Sequence, residues 1–157
     1  MRQLLLLFNS DSTRRGKERE KDGLIQDYDT ILKEGALLTT FAGILFGFLL
    51  DISINAPEDE FAFIDRIILL VALFSITISI SLFVMPVVYH HVQYPYRDLE
   101  KFKVRSHRFI MFGLIPAGFT LYLGLELALS SLIERFAASI LAAIPFLLVY
   151  MFFRMRK

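Results

Sequence analysis

Four long apolar stretches alternate with short charged segments along the 157-residue chain. Each apolar stretch is close to or above the roughly 20 residues that a helix needs to cross a bilayer. The pattern therefore predicts an all-α membrane protein with four transmembrane helices. Their expected spans are about 35–54, 64–90, 108–130 and 136–154. We expect residues 1–34 to form a cytosolic N-terminal segment with a helical stem, and residues 35–157 to form the transmembrane domain.

The segment before the first span is highly charged between residues 10 and 23. A helix could begin after Ser12 or Thr13, since either side chain can cap it. The same segment could be disordered, because its two glycines weaken a helix. From Leu24 to Lys33 the apolar residues recur at helical spacing, so we expect the first membrane helix to extend inward as a stem.

Basic residues are concentrated in the N-terminal segment, the second connector and the C-terminus. The first and third connectors hold one each, Arg66 and Arg135. By the positive-inside rule, both termini are expected in the cytoplasm of a multi-pass cell-membrane protein. Lys33 then lies at the inner end of the first helix and Asp51 at its outer mouth.

Two stripes run along the first helix at spacings of three and four residues. The pore stripe combines a cation, large apolar residues and a carboxylate: Lys33, Leu37, Phe41, Ile44, Phe48 and Asp51. The neighbouring small stripe contains a GxxxG pattern: Ala36, Thr40, Gly43 and Gly47. Small residues at this spacing let helices approach closely in lipid. The stripes fit copies of one helix packed through the small stripe around a shared pore, although an ordinary buried helix fits them too.

Composition supports a membrane protein and limits its chemistry. Hydrophobic residues make up 55% of the chain, and its 16 phenylalanines contribute strongly to that apolar character. Without cysteine, the chain cannot form disulfides or thiolate metal sites. No signal-peptide cleavage site, nucleophile–base constellation, phosphate-binding glycine loop or HExxH motif is present. We therefore expect one membrane domain that is not an enzyme, with no cofactor and no nucleic-acid partner.

Asp51 is the strongest candidate for a metal site. Copies of this carboxylate around one axis would form an acidic ring that attracts hard cations such as Ca²⁺. The alternative is an acid that ends the helix at the lipid headgroups. Three further acids in the first connector could raise the local cation concentration or simply be solvated: Glu58, Asp59 and Glu60.

Glu126 is an ionisable residue within an apolar span, which makes it a candidate modulatory residue. It could instead lie near the outer interface, where its cost is small. His90 and His91 could sense pH or bind a metal. No third ligand accompanies them, which favours a role at the membrane interface.

The segment Ala36–Asp51 resembles the pore helix of the Orai family, the calcium-release-activated calcium channels. The sequence VMPVV (Val84–Val88) is similar to the end of that family's second helix, and Ser106–Ser130 is similar to its third helix. The resemblance places the family's basic pore residue on Lys33. Its apolar pore positions fall on Leu37, Phe41 and Ile44, and a histidine and a glutamate of its third helix fall on His107 and Glu126.

The chain also departs from the Orai pattern. The family's selectivity glutamate falls on Phe48, and the nearest acid is Asp51, one turn further out. A histidine of the second helix falls on Phe74. The family's cytosolic extension of the fourth helix has no counterpart here, so no reticulum calcium-sensor partner is expected.

The resemblance implies a prokaryotic four-span relative of Orai that assembles from five or six identical subunits. We therefore expect a calcium-permeable cation channel with an apolar gate and an outer acidic ring. Its partners would be further copies of the chain, metal cations and the lipid bilayer, with Ca²⁺ or another cation as the permeant ion. The alternatives are a non-conducting membrane scaffold or accessory subunit, and a small ion-coupled transporter that uses Glu126.

Overall fold

The computed structural model describes residues 2–55, 61–93 and 99–156. Within these ranges, side chains are described at Gly23, at Gln26 and from residue 29 onward, apart from residues 93 and 99. The described residues form four helices: α1 (Arg2–Asn55), α2 (Phe63–Gln93), α3 (Leu99–Ser130) and α4 (Arg135–Met155). Glu58, Asp59 and Glu60, predicted to influence cations near the pore, lie outside the described residues.

Each helix contains a segment long and apolar enough to cross a membrane. The four segments are Asp29–Asn55, Phe63–Val92, Glu100–Ser130 and Arg135–Met155. For the described residues, the prediction of an all-helical fold is therefore confirmed, with four helices long and apolar enough to cross a membrane. The length and composition of the four helices indicate a multi-pass membrane protein.

The first helix is much longer than its membrane segment. It contains 54 residues and begins at Arg2, ahead of the two possible caps at Ser12 and Thr13. At 1.5 Å per residue, the part before Asp29 is about 40 Å long. The charged segment thus continues the same helix as the apolar one.

The second and third helices are joined by hydroxyl groups that donate hydrogen bonds to backbone carbonyls of the facing helix. Ser79 Oγ donates to the Gly113 carbonyl at 2.8 Å, and Ser75 Oγ donates to the Pro116 carbonyl at 3.0 Å. In the opposite direction, Thr120 Oγ1 of α3 donates a longer hydrogen bond of 3.3 Å to a backbone carbonyl of α2. These contacts satisfy polar groups in an environment without water and draw the two helices together.

Two other hydroxyls of α2 make their hydrogen bonds within their own helix. Thr77 donates to the Leu73 carbonyl and Ser81 to the Thr77 carbonyl, and both are exposed. The polar positions of α2 therefore divide into one set that faces α3 and another that does not.

The first helix packs mainly on α2 and the fourth helix packs on α3. Ala42 and Leu49 of α1 join a buried cluster with Leu69 and Ile76 of α2 and with Leu123 of α3. Within the described ranges, the backbones of α1 and α4 do not approach each other. The α2–α3 pair therefore separates the two other helices.

The fourth helix makes few contacts with the rest of the subunit. Its buried residues are Ala138 and Ala142, and every residue from Ile144 to Arg156 is exposed. The exposed residues from Ile140 through Phe153 are almost all large and apolar. This surface is typical of a helix in contact with lipid.

Candidate pore-lining face and outer cleft

The packing face of α1 is formed by residues that are buried against the other helices. Its members are Ile31, Gly35, Ala42 and Leu49. With about 100° of rotation per residue, both predicted stripes lie on the opposite side of the helix. All ten stripe residues are exposed: Lys33, Ala36, Leu37, Thr40, Phe41, Gly43, Ile44, Gly47, Phe48 and Asp51.

The small stripe leaves open space beside α1. A Cβ atom added to Gly43 or Gly47 would meet nothing within 4 Å. Neither glycine is therefore required by packing inside the subunit. Gly113 provides the contrast, because a Cβ there would lie 2.6 Å from Cε1 of Phe83.

The pore stripe carries its charges at its two ends. Eighteen residues separate Lys33 from Asp51, which corresponds to about 27 Å of helix and is close to the thickness of the hydrocarbon layer. The four residues between these ends are large, apolar and at least half exposed: Leu37, Phe41, Ile44 and Phe48. One subunit thus presents an apolar strip ended by a cation and an anion.

Asp51 also borders a cleft between the ends of α1 and α3, which we call the outer cleft. Its Oδ1 accepts a hydrogen bond from Nδ2 of Asn55 at 2.6 Å. The outer cleft is lined by Leu49, Asp51, Ile52, Asn55, Phe61, Gly124, Leu127, Ala128 and Ser131. Sequence reasoning missed Asn55, although its position four residues after Asp51 is the spacing that lets two helical side chains meet.

A second cleft, which we call the side cleft, adjoins the outer cleft. It is lined by Phe61, Asp65, Leu127, Ser130, Ser131 and Arg135. Asp65 and Arg135 form an ion pair there, and Asp65 Oδ2 also accepts the Ala62 backbone N–H at 3.1 Å. This pair links the first turns of α2 and α4. The sequence analysis used Arg135 for orientation alone and did not identify Asp65 as its partner.

Glu126 lies buried between α3 and α4, with 6% of its surface exposed. Its Oε1 accepts a hydrogen bond from Ser139 Oγ at 3.3 Å, and that hydroxyl also lies 3.1 Å from the Arg135 carbonyl. Glu126 lines neither cleft. The structure therefore does not bring it together with Asp51 in one subunit.

The histidine pair lies at the opposite end of α2 from Asp65. The rings of His90 and His91 meet edge to face at 5.3 Å, and Nδ1 of His91 lies 2.9 Å from the Val87 carbonyl. Across the described parts of the chain, no three His, Cys, Asp or Glu side chains are grouped as a metal site. His107 and Phe74, two positions singled out by the resemblance, are both exposed.

The described residues form an all-α fold whose four helices are each long and apolar enough to cross a membrane, which indicates a multi-pass membrane protein. Within that class, the chain belongs to DUF6328, a family of unknown function whose model matches residues 17–156. No curated protein and no solved structure matches the chain.

Proposed function

We propose that the protein is a homo-oligomeric cation channel of the cell membrane, related to Orai, with a pore lined by α1. One observation carries the proposal: both stripes of α1 are exposed on the side opposite its packing face. This surface holds Lys33, Thr40 and Asp51 as well as two glycines. Charged residues in membrane helices usually face a protein interior or water. Contact with lipid alone therefore does not explain why charged, polar and small residues share this surface.

The exposed surface of α4 provides an internal comparison. It is almost uniformly large and apolar, as expected beside lipid. Since α2 and α3 separate α1 from α4, a ring of subunits with α1 innermost would leave α4 facing the bilayer. The Orai resemblance suggests five or six subunits in such a ring.

In this ring, the small stripe forms the contact between neighbouring α1 helices and the pore stripe faces the axis. Leu37, Phe41 and Ile44 would form a narrow apolar gate that stops ions by excluding water. A ring of Lys33 cations would oppose cation entry at the cytoplasmic end. Asp51 would supply carboxylates at the outer mouth for Ca²⁺, with both termini in the cytoplasm.

Disulfide crosslinking tests the assembly, and the natural chain contains no cysteine to interfere. Single Gly43→Cys and Gly47→Cys variants should form disulfide-linked dimers in membranes, because the small stripe brings neighbouring copies together. Ile144→Cys and Leu148→Cys on the exposed surface of α4 are the controls and should remain mostly monomeric. Equal crosslinking on α1 and α4 would contradict an α1 ring.

Crosslinking alone would also fit a non-conducting scaffold, so ion flux decides between the two functions. The purified protein in liposomes loaded with a Ca²⁺-sensitive dye should admit Ca²⁺ when the gate is opened by mutation. An assembled protein that passes no cation after polar substitution of the gate would favour the scaffold. A transporter is less well supported, because Glu126 is buried between α3 and α4, away from the proposed axis.

A further inference from the structure

We infer that the outer cleft is a divalent-cation site contained within each subunit, formed by Asp51 and Asn55 of α1 with Ser131 just after α3. This inference rests on the proposed channel function and adds to it the place where a cation is held beside the pore mouth. A ring of Asp51 side chains would need several subunits to form a site. The outer cleft already brings residues of two elements together in one subunit.

The charge of Asp51 is the first reason. Asp65, the carboxylate of the adjoining side cleft, is paired with Arg135. The hydrogen-bond partner described for Asp51 is the neutral amide of Asn55. Among the described residues, the charge of Asp65 is therefore neutralised by Arg135, whereas Asp51 carries its negative charge beside a neutral partner.

The available oxygen atoms are the second reason. Because Nδ2 of Asn55 donates to Oδ1 of Asp51, the amide oxygen of Asn55 and Oδ2 of Asp51 remain as acceptors in the described structure. Ser131 donates its hydroxyl hydrogen to the Ala128 carbonyl at 2.8 Å, which leaves lone pairs on Oγ. Carboxylate, amide and hydroxyl oxygens suit Ca²⁺, with water completing its shell.

The helix ends at the outer cleft are the third reason. α1 ends at Asn55 and α3 ends at Ser130, and neither helix has a basic residue in its last turn. A helix C-terminus carries a partial negative charge of about half an elementary charge. Two such ends beside Asp51 favour a cation and disfavour an anion.

Space in the outer cleft permits a test that leaves its charge unchanged. Gly124 lines the cleft, and a Cβ atom added there would meet nothing within 4 Å. A leucine at position 124 should occupy the space between α3 and Asp51. An alanine should occupy little of it.

Tb³⁺ binding to the full-length protein in neutral detergent micelles, followed by luminescence and competed with Ca²⁺, measures the site. We expect the wild-type protein to bind one ion per subunit, with a Ca²⁺ dissociation constant of about 1 mM, at the weak end of the range for protein sites because one carboxylate supplies the charge. Asp51→Asn and Gly124→Leu should each lower that affinity about tenfold or more, because one removes the charge and the other fills the cleft. Gly124→Ala should bind like the wild type.

Wild-type affinity in Gly124→Leu, together with lost binding in Asp51→Asn, would overturn the inference, since Asp51 would then act through a ring of copies. Wild-type affinity in Asp51→Asn would overturn it as well. If Gly124→Leu does not assemble, Asn55→Leu takes its place. Lowered Ca²⁺ affinity in Asn55→Leu would then support the inference, and wild-type affinity would overturn it. Failure of the channel would appear separately, as Tb³⁺ binding without Ca²⁺ flux.

Discussion

Phe41 lies midway along the pore stripe, with 54% of its surface exposed in the subunit. A phenylalanine in this position is compatible with lipid, but it can also close a pore by keeping it dry. The distinction depends on what the side chain faces in the assembled protein. A single polar substitution can therefore separate the two roles.

We expect Phe41→Asn to raise resting cation flux into liposomes several-fold, because an amide in the constriction would admit water. Uptake of Ca²⁺ by dye-loaded proteoliposomes measures the effect. Phe112→Asn on α3 is a matched control, since Phe112 is 61% exposed and belongs to another helix. Unchanged flux in a fully assembled Phe41→Asn protein would move the gate away from Phe41.

Asp51 shows how far the sequence identifies a site residue. Its spacing from Lys33 and Phe48 assigned it to the same stripe of α1, and all the residues of that stripe are exposed in the structure. Asn55 follows it by one helical turn and could have been recognised by the same spacing. Gly124 and Ser131 could not have been recognised from the sequence, because their approach to Asp51 depends on how α3 packs beside α1.

At the scale of the helices, α2 and α3 form the most closely joined pair. The helix spans followed directly from the apolar stretches, since a bilayer demands a minimum length. The hydrogen-bond partners of Ser75 and Ser79 could not be predicted from the sequence, because α2 also carries Thr77 and Ser81 at similar spacing. Selection among these hydroxyls depends on which side of α2 meets α3.

Among the described glycines of this pair, Gly113 is the one where an added Cβ atom would make the shortest contact. An alanine there should place its Cβ 2.6 Å from the ring of Phe83, which is itself buried. We expect Gly113→Ala to destabilise the fold by about 1–3 kcal/mol, as overpacking does. Thermal unfolding in detergent, followed by circular dichroism, measures the loss.

Gly118→Ala is the matched control on α3, because its Cβ would lie 3.9 Å from Phe146, an ordinary contact distance. It should unfold near the wild-type temperature. Combining Gly113→Ala with Phe83→Leu should recover part of the loss. Equal stability of the two single alanine variants would show that the α2–α3 contact can relax at little cost.

At the scale of the whole molecule, the four helices present two different outer surfaces. The α4 surface is large and apolar, whereas the α1 surface mixes charge, apolar bulk and small residues. The sequence predicted the two stripes of α1 but singled out no surface of α4. The structure adds that the two surfaces belong to helices separated by the α2–α3 pair.

Filling the small stripe should weaken assembly without disturbing the subunit. Gly43→Leu and Gly47→Leu add side chains where a Cβ meets nothing within the subunit, so the fold should keep its stability. Close contact between α1 helices would be blocked, and the oligomer should dissociate toward monomers. Light scattering coupled to size-exclusion chromatography measures the mass. Wild-type mass in both variants would place the subunit contact elsewhere.

The continuous course of α1 has a mechanical consequence. No proline interrupts the helix between Arg2 and Asn55, and prolines are a main cause of sharp bends in helices. A torque applied to the N-terminal part of α1, about 40 Å long, would therefore be transmitted along the backbone hydrogen bonds into the membrane segment. Turning this N-terminal part about the helix axis would rotate Phe41 and Asp51 in the same direction, so that a partner bound far from the membrane segment would change which side chains that segment presents to its surroundings.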